Sequence, residues 1–503
     1  MSPLVLGIDQ STQGTKALLL DEQGHLIAHC AKPHQQIIND LGYVEHDLNE
    51  IYHNVCAVVA EVVGKDPSYS ARIKCVGLSV QRETVGAWSK QSGEPLYHAI
   101  VWQCGRAADI VARPEMVAAA PYIKETSGLE LSEFFSAAKI TWLLEHVEAV
   151  KQALQSGDLL VGNIDSYLIY RLTKGATFAT EPSNASRTQL LNLAKVEWDE
   201  KLCELFKVPR SALAPIKDSD SNFGLTDFNG VLPQPIPIHG AIGDSQGALL
   251  GQGCLTSGQC KTTYGTGSSI MMNTGKDIVP CAKGVVNSAG WRRHGEITYV
   301  LEGNINYSAG VISYLKDDLG LISSPSETEA LAKAANPQDR CYFVPALSGL
   351  GAPHFCSEAR GTILGMSRLT TKKELVRAAL DSIAYQVYDV VSVIDQSARK
   401  SAGLQVTELR VDGGATSNQY LMQRQSDLLH LPLTVPNNAE LSGTGAALLA
   451  GIGAGVYDES ILAAPPVKAH YQPQLPEAER QELLQGWHAA LHTAIAHSHQ
   501  ETK

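Results

Sequence analysis

The chain has 503 residues, of which 44% are hydrophobic and 18% charged, a composition typical of a globular protein. One hydrophobic core cannot serve a chain of this length, and we expect two domains of about 250 residues each. The formal net charge of −12 argues against a nucleic-acid partner and against an anionic membrane surface, because both present phosphates that attract basic faces.

The ten cysteines are scattered along the chain without a CxxC pair. This spacing favours neither a structural zinc site nor a disulfide framework, and it suits a reducing compartment. The segment MSPLVLGID enters a strand without a basic region or a cleavage site, and no apolar run reaches about 18 residues. We therefore expect a cytoplasmic protein that is neither exported nor membrane-spanning.

Residues 3–20 predict a β-hairpin, because two apolar runs flank a polar turn. The first run ends at Asp9, and the turn carries hydroxyl, amide and glycine residues up to Thr15. Such a turn gathers N–H groups and hydroxyls around one point, which suits an anion, while Asp9 could hold a cation through water. A plain hairpin without a ligand explains the segment as well, and the segment alone does not separate the two.

Residues 259–275 repeat this pattern. Alternating polar and apolar residues lead to Gly265, Thr266, Gly267 and Ser268, and an apolar run follows. Two phosphate-type hairpins about half a chain apart indicate two related halves facing one nucleotide. The repeat is short, and coincidence stays open at this point.

Strands and helices alternate along the chain, which predicts an α/β fold. The glycine-dense connector 250–257 suggests a boundary between domains 1–252 and 253–503. Other predicted elements are buried strands at 73–80 and 409–414, a long amphipathic helix at 372–395, a small-residue helix at 440–455 packed closely on a neighbour, and a peripheral packing helix at 476–499.

Two segments offer contacts for a polyol. VQRETVGAW (80–88) places Arg82 beside Glu83 just after a strand, where α/β folds bind ligands, and the two side chains could clamp neighbouring hydroxyls. In IVWQCGR (100–106), the indole of Trp102 is a suitable wall for the C–H face of a sugar or polyol. A structural ion pair and a core tryptophan are the alternatives.

Two further segments offer catalytic and nucleotide contacts. In 239–253 a strand runs into Asp244, which at a strand end can accept a proton from an attacking hydroxyl and adjoin a metal. An N-cap explains this acid equally well. In 411–429 a Gly413–Gly414 turn allows close approach of a flat ring, and the amide of Asn418 could reach a purine. A tight strand-to-helix turn also accounts for the glycines.

Taken in order, these segments resemble motifs of the FGGY family of carbohydrate kinases, and within it most of all the glycerol kinases. The resemblance covers almost the whole chain and is carried by GIDQSTQGTK (7–16), QRET (81–84), VWQC (101–104), NASRT (184–188), WDEKL (198–202), GDSQGALLGQ (243–252), KTTYGTG (261–267), FVPALSGLGAPHF (343–355), ARGTILG (359–365) and VDGGATSN (411–418).

The resemblance implies two actin-like, ribonuclease H-like ATPase domains with the active site in the cleft between them. It also implies ATP, Mg²⁺ and transfer of the γ-phosphoryl group to a hydroxyl of a small carbohydrate. The resemblance implies that Asp244 is the general base and that Asp9, with Asp244, holds the metal ion through water. The implied nucleotide contacts are Thr12, Gln13, Lys16, Thr266 and Gly267 at the phosphates, and Gly414 and Asn418 at adenine. The implied acceptor contacts are Arg82, Glu83, Trp102, Phe134, Asp244, Ser245 and Ser269.

The chain departs from the glycerol kinase pattern at three of these positions. Phe134 stands where a tyrosine is expected, Ser245 where a glutamine is, and Ser269 where a phenylalanine is. The two serines reduce bulk, and Phe134 lacks a hydrogen-bond donor. The loss of a polar pairing discriminates between substrates more strongly than added space does. We therefore expect a polyol or ketose larger than glycerol, such as a tetritol or pentulose, with glycerol kinase proper as the alternative.

Other classes of protein use the same fold. An actin-like or chaperone-like ATPase would have no small-molecule acceptor, and the substrate segment QRET and Asp244 argue against it. A catalytically silent sugar sensor would have no need of Asp9, Asp244 and both hairpins. The expected partner is a small carbohydrate; a homodimer is one assembly open to the chain, whose oligomeric state the sequence does not fix.

Overall fold

The computed structural model describes residues 2–463 and 465–501. The strands are β1 (Leu4–Gln10), β2 (Gly14–Leu20), β3 (Leu26–Pro33), β4 (Ile37–Ile38), β5 (Val44–His46), β6 (Ile73–Val80), β7 (Val85–Ser89), β8 (Ala99–Ile100), β9 (Leu159–Asn163), β10 (Leu191–Asn192), β11 (Glu197–Trp198), β12 (Leu225–Thr226), β13 (Ile236–Gly243), β14 (Gln259–Tyr264), β15 (Ser268–Gly275), β16 (Val286–Arg293), β17 (Glu296–Ile305), β18 (Tyr342–Val344), β19 (Thr362–Leu364), β20 (Glu408–Gly413), β21 (Leu433–Pro436) and β22 (Val467–Tyr471).

The α-helices are α1 (Leu48–Val63), α2 (Tyr69–Arg72), α3 (Ala108–Val111), α4 (Pro114–Ser127), α5 (Ser136–His146), α6 (Glu148–Ser156), α7 (Ile164–Leu172), α8 (Pro182–Ala185), α9 (Glu200–Leu205), α10 (Asp244–Gly251), α11 (Gly310–Ser313), α12 (Glu327–Lys333), α13 (Lys372–Ala402), α14 (Gln419–Leu429), α15 (Leu441–Gly453) and α16 (Glu477–Glu501). Short 3₁₀ turns lie at Gly105–Ala107, Arg210–Ala212, Gly414–Ser417 and Glu459–Leu462, and a π-helical turn at Tyr314–Asp318.

The chain forms two compact units that are not contiguous in sequence. The first contains Met1–Gly253, Asn287–Tyr299 and Glu440–Ala464, and the second contains Cys254–Val286, Val300–Ala439 and Pro465–Lys503. The boundary predicted at 252/253 lies one residue from the first break between the units, and two later segments return to the first unit. Within residues 2–463 and 465–501, no helix combines the length and the apolar character that crossing a membrane requires.

The first unit is built on a sheet with the strand order β12-β13-β6-β1-β2-β3. β1 and β2 form the predicted antiparallel hairpin, whereas β1 and β13 both run parallel to β6. In the register, Val80 at the end of β6 faces both Gln10 of β1 and Gly243 of β13. Carboxyl ends of parallel strands meet at one edge of a sheet, so the segments after these residues, with Arg82, Glu83 and Asp244, start close together.

The second unit is built on strands β15, β14, β20, β21 and β22, which belong to a seven-stranded sheet with the order β16-β17-β15-β14-β20-β21-β22. β14 and β15 form the second predicted hairpin, and β14 runs parallel to β20 with Tyr264 opposite Gly413. The turn 265–267 and the glycine turn after β20 therefore leave the same edge of the sheet. The long helix predicted at 372–395 is confirmed as α13, which begins with a capping box and ends seven residues later than expected, at Ala402.

The C-terminal helix is more than a peripheral packing element. Trp487 on α16 is fully buried, and its ring stacks on that of Tyr385 on α13 with centroids 5.1 Å apart. The apolar spacing along 476–499 predicted the packing face of this helix. It did not reveal that the face belongs to the main core of the second unit.

The small-residue helix packs with its backbone against other backbones, as the sequence predicted. A Cβ added at Gly445 of α15 would lie 2.0 Å from the carbonyl oxygen of Gly247 on α10. One added at Gly77 of β6 would lie 2.0 Å from the carbonyl oxygen of Ala446. One added at Gly443 would meet Leu18 at 2.3 Å and the Cβ of Asp9 at 3.1 Å. Helix α15 therefore braces both the strand that carries Asp9 and the helix that begins at Asp244.

We expect Gly445→Ala to lower the free energy of unfolding of the protein by about 3 kcal/mol, because its methyl group meets a backbone carbonyl that cannot rotate away. Urea unfolding followed by circular dichroism measures the change. Gly105→Ala is the matched control: nothing lies within 4 Å of its added Cβ, and the effect should stay within about 0.5 kcal/mol. Equal stability of the two variants would contradict the packing described for α15.

Candidate active site

Asp244 lies at the start of α10, held by an arginine. Helix α10 is capped by Gly243, so Asp244 is its first residue rather than its N-cap. One carboxylate oxygen, Oδ1, accepts a hydrogen bond from Nε of Arg82 at 3.1 Å and another from the backbone N–H of Ser245 at 2.7 Å. The side chain remains about one-third exposed. A Cβ at Gly243 would lie 2.7 Å from Cδ of Arg82, so glycine lets the arginine pass beneath the carboxylate.

Asp9 is a buried carboxylate near the end of β1. Its Oδ1 accepts a hydrogen bond from the hydroxyl of Ser79 on β6 at 3.1 Å. Burial, with a further contribution from the negative charge of Asp244, raises the pKa of Asp9 to about 7. The two predicted metal-site acids therefore share one electrostatic environment, in which a cation would stabilise both charges.

Lys16, predicted at a phosphate, forms an ion pair within the first unit. Its Nζ lies 2.5 Å from Oε2 of Glu440, the residue that precedes α15. Both side chains are partly exposed, 36% and 21%. The ammonium group of Lys16 is thus held by a carboxylate that the sequence did not single out. A bound phosphate group would interact with the same ammonium group.

Glu83 and Arg82 are neighbours in sequence with different ionic partners. Oε1 of Glu83 accepts a hydrogen bond from Nε of Arg187 at 2.5 Å, and Nη1 of Arg187 donates to the hydroxyl of Ser288 at 2.7 Å. The side chains of Glu83 and Arg187 are nearly fully buried. Glu83 also has φ of 61°, a left-handed conformation that is costly for a residue with a side chain and that recurs at functional sites.

Trp102 contacts both the turn of the first hairpin and Phe134, another residue predicted at the acceptor. Its indole N–H donates to the hydroxyl of Thr12 at 2.9 Å, so a predicted phosphate residue and a predicted acceptor residue are in direct contact. On its other side, the ring of Phe134 meets the indole edge-to-face with centroids 5.5 Å apart. Gln13, the next residue of the turn, is exposed.

The turn that carries Phe134 is fixed by a buried lysine. Nζ of Lys139 donates to the backbone carbonyls of Phe134 and Phe135, the latter at 3.2 Å. Burial lowers the pKa of Lys139 to about 7. The guanidinium of Arg187 lies 5.1 Å from the ring centroid of Phe135. Lys139 and Arg187 therefore both contact Phe135, and Lys139 also holds the backbone of Phe134.

In the second unit, the turn 265–267 is braced by the start of α11. The backbone N–H groups of Ser308 and Gly310 donate to the carbonyl of Thr266 at 2.7 and 3.1 Å. A Cβ at Gly267 would lie 2.4 Å from the carbonyl of Ile305, so this position requires glycine. The side chain of Thr266 is exposed and open to a ligand. Ser269 accepts a hydrogen bond from Nζ of the buried Lys261 at 3.2 Å.

The predicted adenine residues differ in how open they are. Nothing lies within 4 Å of a Cβ added at Gly414, which leaves room for a flat ring, while Gly413 with φ of 94° provides the turn. Asn418 is the N-cap of α14: its Oδ1 accepts from the backbone N–H of Leu421, and its Nδ2 donates to Thr328, each at 3.0 Å. One N–H of the amide remains for a ligand.

Sequence reasoning missed the residues that hold the candidates in place. These are Ser79, Lys139, Arg187, Gln246 and Glu440. Arg187 falls inside NASRT, a segment that carried the family resemblance, so this arginine was detectable from the motif. Gln246 likewise falls inside GDSQGALLGQ. Ser79 and Glu440 have no local signal, because their partners Asp9 and Lys16 lie far away along the chain. Lys139 donates to backbone carbonyls, for which its own side chain gives no pattern.

Comparison with known proteins identifies the family. The model of the N-terminal domain of the FGGY family of carbohydrate kinases matches residues 4–251, and that of the C-terminal domain matches residues 260–454. The chain belongs to the FGGY family of carbohydrate kinases. It is 42% identical over 489 residues to glycerol kinase 1 of Thermotoga maritima, covering 97% of this chain and 98% of that protein.

Solved structures agree with this assignment. The crystal structure of Plasmodium falciparum glycerol kinase with ADP superposes with a TM-score of 0.89 at 34% identity, covering 98% of both chains. The xylulose kinase from Lactobacillus acidophilus has the same fold. It superposes with a TM-score of 0.87 at 21% identity, covering 100% of both chains. The predicted two-domain actin-like fold and the predicted enzyme class are confirmed: the chain is an ATP-dependent carbohydrate kinase.

We expect Arg187→Met to raise the KM for the acceptor by about tenfold or more while the KM for ATP changes little, because Glu83 loses the partner that holds it. The free energy of unfolding should fall by about 3 kcal/mol, since a buried carboxylate is left unpaired. Steady-state kinetics and urea unfolding measure the two effects. Arg113→Met, which removes a half-buried ion pair with Glu145, is the control. An unchanged acceptor KM would remove Glu83 from the acceptor site.

Proposed function

We propose that this kinase phosphorylates a hydroxyl group of a small acyclic polyol, with Asp244 as the general base. The supporting observation is the Arg82–Asp244 pair, which fixes one carboxylate oxygen and leaves the partly exposed group able to accept a proton. As the acceptor oxygen bonds to the γ-phosphorus, the bond from phosphorus to the bridging oxygen breaks, ADP leaves, and the hydroxyl proton passes to Asp244. Arg82 keeps the acid oriented throughout.

The residues around Asp9 suit a magnesium ion. Across the described part of the chain no three His, Cys, Asp or Glu side chains form a metal-ligand cluster, and Mg²⁺ commonly needs only one or two carboxylates with water and phosphate oxygens. Asp9, a carboxylate disfavoured by burial and by Asp244, would hold the ion through water, with help from Asp244. When bound, Mg²⁺ neutralises charge on the phosphates.

For the nucleotide, we assign the phosphates to residues of both hairpins and adenine to the turn after β20. Thr12, Gln13 and Lys16 would contact phosphate oxygens from the first hairpin, and Lys16 supplies charge that Glu440 now balances. Thr266 and Gly267 would do so from the second, through the exposed hydroxyl and the tight turn. Gly414 and Asn418 would contact adenine.

Two acceptors have separate support. Relatives named glycerol kinase, such as that of Thermotoga maritima at 42% identity, support glycerol directly, and this is the better supported acceptor. A larger polyol or ketose, such as a tetritol or pentulose, is favoured by the side chains of Phe134, Ser245 and Ser269. Phe134 presents no hydroxyl beside Trp102, and the two serines are smaller than the glutamine and phenylalanine of the glycerol kinase pattern.

Asp244→Asn should reduce phosphoryl transfer by at least about a hundredfold, because an amide cannot take the hydroxyl proton, while binding of ATP stays within about twofold. A coupled ADP-release assay and isothermal titration with a non-hydrolysable ATP analogue measure the two properties. The control is Asp40→Asn, at an exposed carboxylate, which should behave as the native protein. Native turnover in Asp244→Asn would assign the base elsewhere.

The acceptor is determined by comparing kcat/KM over glycerol and a panel of C4 to C6 polyols and ketoses. Glycerol as the acceptor predicts its kcat/KM to be the highest of the panel. The larger acceptor predicts glycerol to be poor, and it also predicts that the triple variant Phe134→Tyr, Ser245→Gln, Ser269→Phe shifts preference toward glycerol by about tenfold or more. ADP release that no member of the panel increases would contradict both acceptors.

A further inference from the structure

A polar cavity of about 210 Å³ lies within the second unit, apart from every residue assigned above to ATP or to the acceptor. It is enclosed by α12, α13, α14, α16 and the segment 337–342. Its volume is below the range of about 300–1,000 Å³ that drug-sized ligands occupy. The space therefore suits a metabolite of a few carbon atoms.

Two phenol hydroxyls that have no hydrogen-bond partner in the described part of the chain line this cavity. Tyr385 on α13 is 2% exposed and lines the cavity, and among the described residues its hydroxyl makes no hydrogen bond. Tyr342 lies on the opposite wall, and its ring centroid is 6.0 Å from that of Tyr385. Its hydroxyl also makes no hydrogen bond to a described residue. Burial raises the pKa of both phenols, so both stay protonated and can donate. A ligand with acceptor oxygens in the cavity would pair with both hydroxyls.

A guanidinium group beside these phenols has a free edge. In Arg424 on α14, Nε donates to Asp381 at 3.1 Å and Nη2 to the hydroxyl of Tyr420 at 2.9 Å. Its remaining nitrogen, Nη1, has no hydrogen-bond partner in the described part of the chain. Arg377 on the same cavity wall uses Nη1 and Nη2 on backbone carbonyls and lies 3.7 Å from the carboxylate of Asp339. Arg424 is thus pre-oriented by Asp381 and keeps donors for a second anion.

From this arrangement we propose that the cavity binds a small phosphorylated polyol or sugar. A phosphate group accepts hydrogen bonds from Nη1 of Arg424 and from the hydroxyls of Tyr385 and Tyr342, the three donors without partners. Cationic residues line the cavity as well, and the carboxylates of Asp381 and Glu479 offer acceptors for the hydroxyl groups of the ligand. A free polyol lacks the negative charge that strengthens the hydrogen bond to Arg424, and inorganic phosphate lacks the carbon-borne hydroxyls that reach Asp381 and Glu479.

The helices that enclose the cavity also carry residues assigned to adenine. Asn418 caps α14, which presents Tyr420 and Arg424 to the cavity within the next two turns. Glu329 on α12 accepts from the backbone N–H of Gln419 at 3.0 Å and pairs with Lys333, which lines the cavity. A ligand in the cavity would therefore contact the same helices that position Asn418.

Isothermal titration of the full-length protein with glycerol 3-phosphate tests the proposal. We expect a saturable site whose affinity falls about tenfold or more in Tyr385→Phe and in Arg424→Met, since each removes a hydrogen bond to a charged group. Tyr388→Phe, at the next turn of α13 and away from the cavity, should bind as the native protein does. Tyr385→Phe should also unfold at the native urea midpoint, because its hydroxyl has no partner in the fold.

Titrations with glycerol and with inorganic phosphate complete the experiment. Both should bind at the Tyr385-sensitive site at least tenfold more weakly than glycerol 3-phosphate. Equal binding of phosphate or of glycerol would overturn the proposed ligand class. Absence of binding at millimolar concentration, or binding that neither Tyr385→Phe nor Arg424→Met weakens, would overturn the site itself, since a product bound only among the acceptor residues does not respond to these changes.

Discussion

The first unit depends on the direct contact of one helix backbone with a strand and a second helix. Glycines of α15 let its backbone meet that of α10 and of β6, and Gly443 lies against Asp9 and Leu18. Cβ atoms added at Gly7 and at Gly445 would meet the carbonyl oxygens of Gly443 and Gly247 at 2.5 and 2.0 Å. The strand that carries Asp9 and the helix that begins at Asp244 are therefore placed by contacts between backbones, which cannot relax by a change of rotamer. Lys16 and Glu440 add an ion pair at the start of the same helix.

Charges buried on this scaffold are held by specific partners. Arg82 holds Asp244, and Arg187 holds Glu83, so each carboxylate of the QRET and GDSQ segments keeps one orientation. Asp9 is different: Ser79 donates to it, yet burial and Asp244 leave its charged form unfavourable and its pKa raised to about 7. The scaffold thus places Asp9, whose charge is poorly stabilised, beside Asp244, which is paired with Arg82. A divalent cation bound with a triphosphate would stabilise this arrangement.

The sequence predicted those parts of the fold whose signal is local. Both hairpins, strands 73–80 and 409–414 and the helix at 372–395 follow from hydrophobic period and turn residues, and the collinear motifs identified the family. The small residues of 440–455 also predicted close packing. Nothing local indicated which neighbour α15 would meet, or that this helix belongs to the first unit.

Partners of site residues were harder to predict than the site residues themselves. Glu83 stands next to Arg82 in sequence but pairs with Arg187, which is 104 residues away. Lys139 supports Phe134 through backbone carbonyls, a contact for which side-chain chemistry gives no pattern. The cavity beside Tyr385 combines side chains from four helices and the segment 337–342, and no single segment carries a pattern that predicts the combination.

The central claim, that backbone contacts of α15 set the geometry of the acids proposed for phosphoryl transfer, is tested most directly by the single-turnover rate of Gly443→Ala. Rapid-quench measurement with enzyme in excess over ATP and with saturating acceptor isolates the transfer step from product release. A methyl group that presses on Leu18 and Asp9 should slow this step by about a hundredfold in a variant that still folds, because small displacements of reacting groups are costly. A native rate of transfer in folded Gly443→Ala would contradict the account.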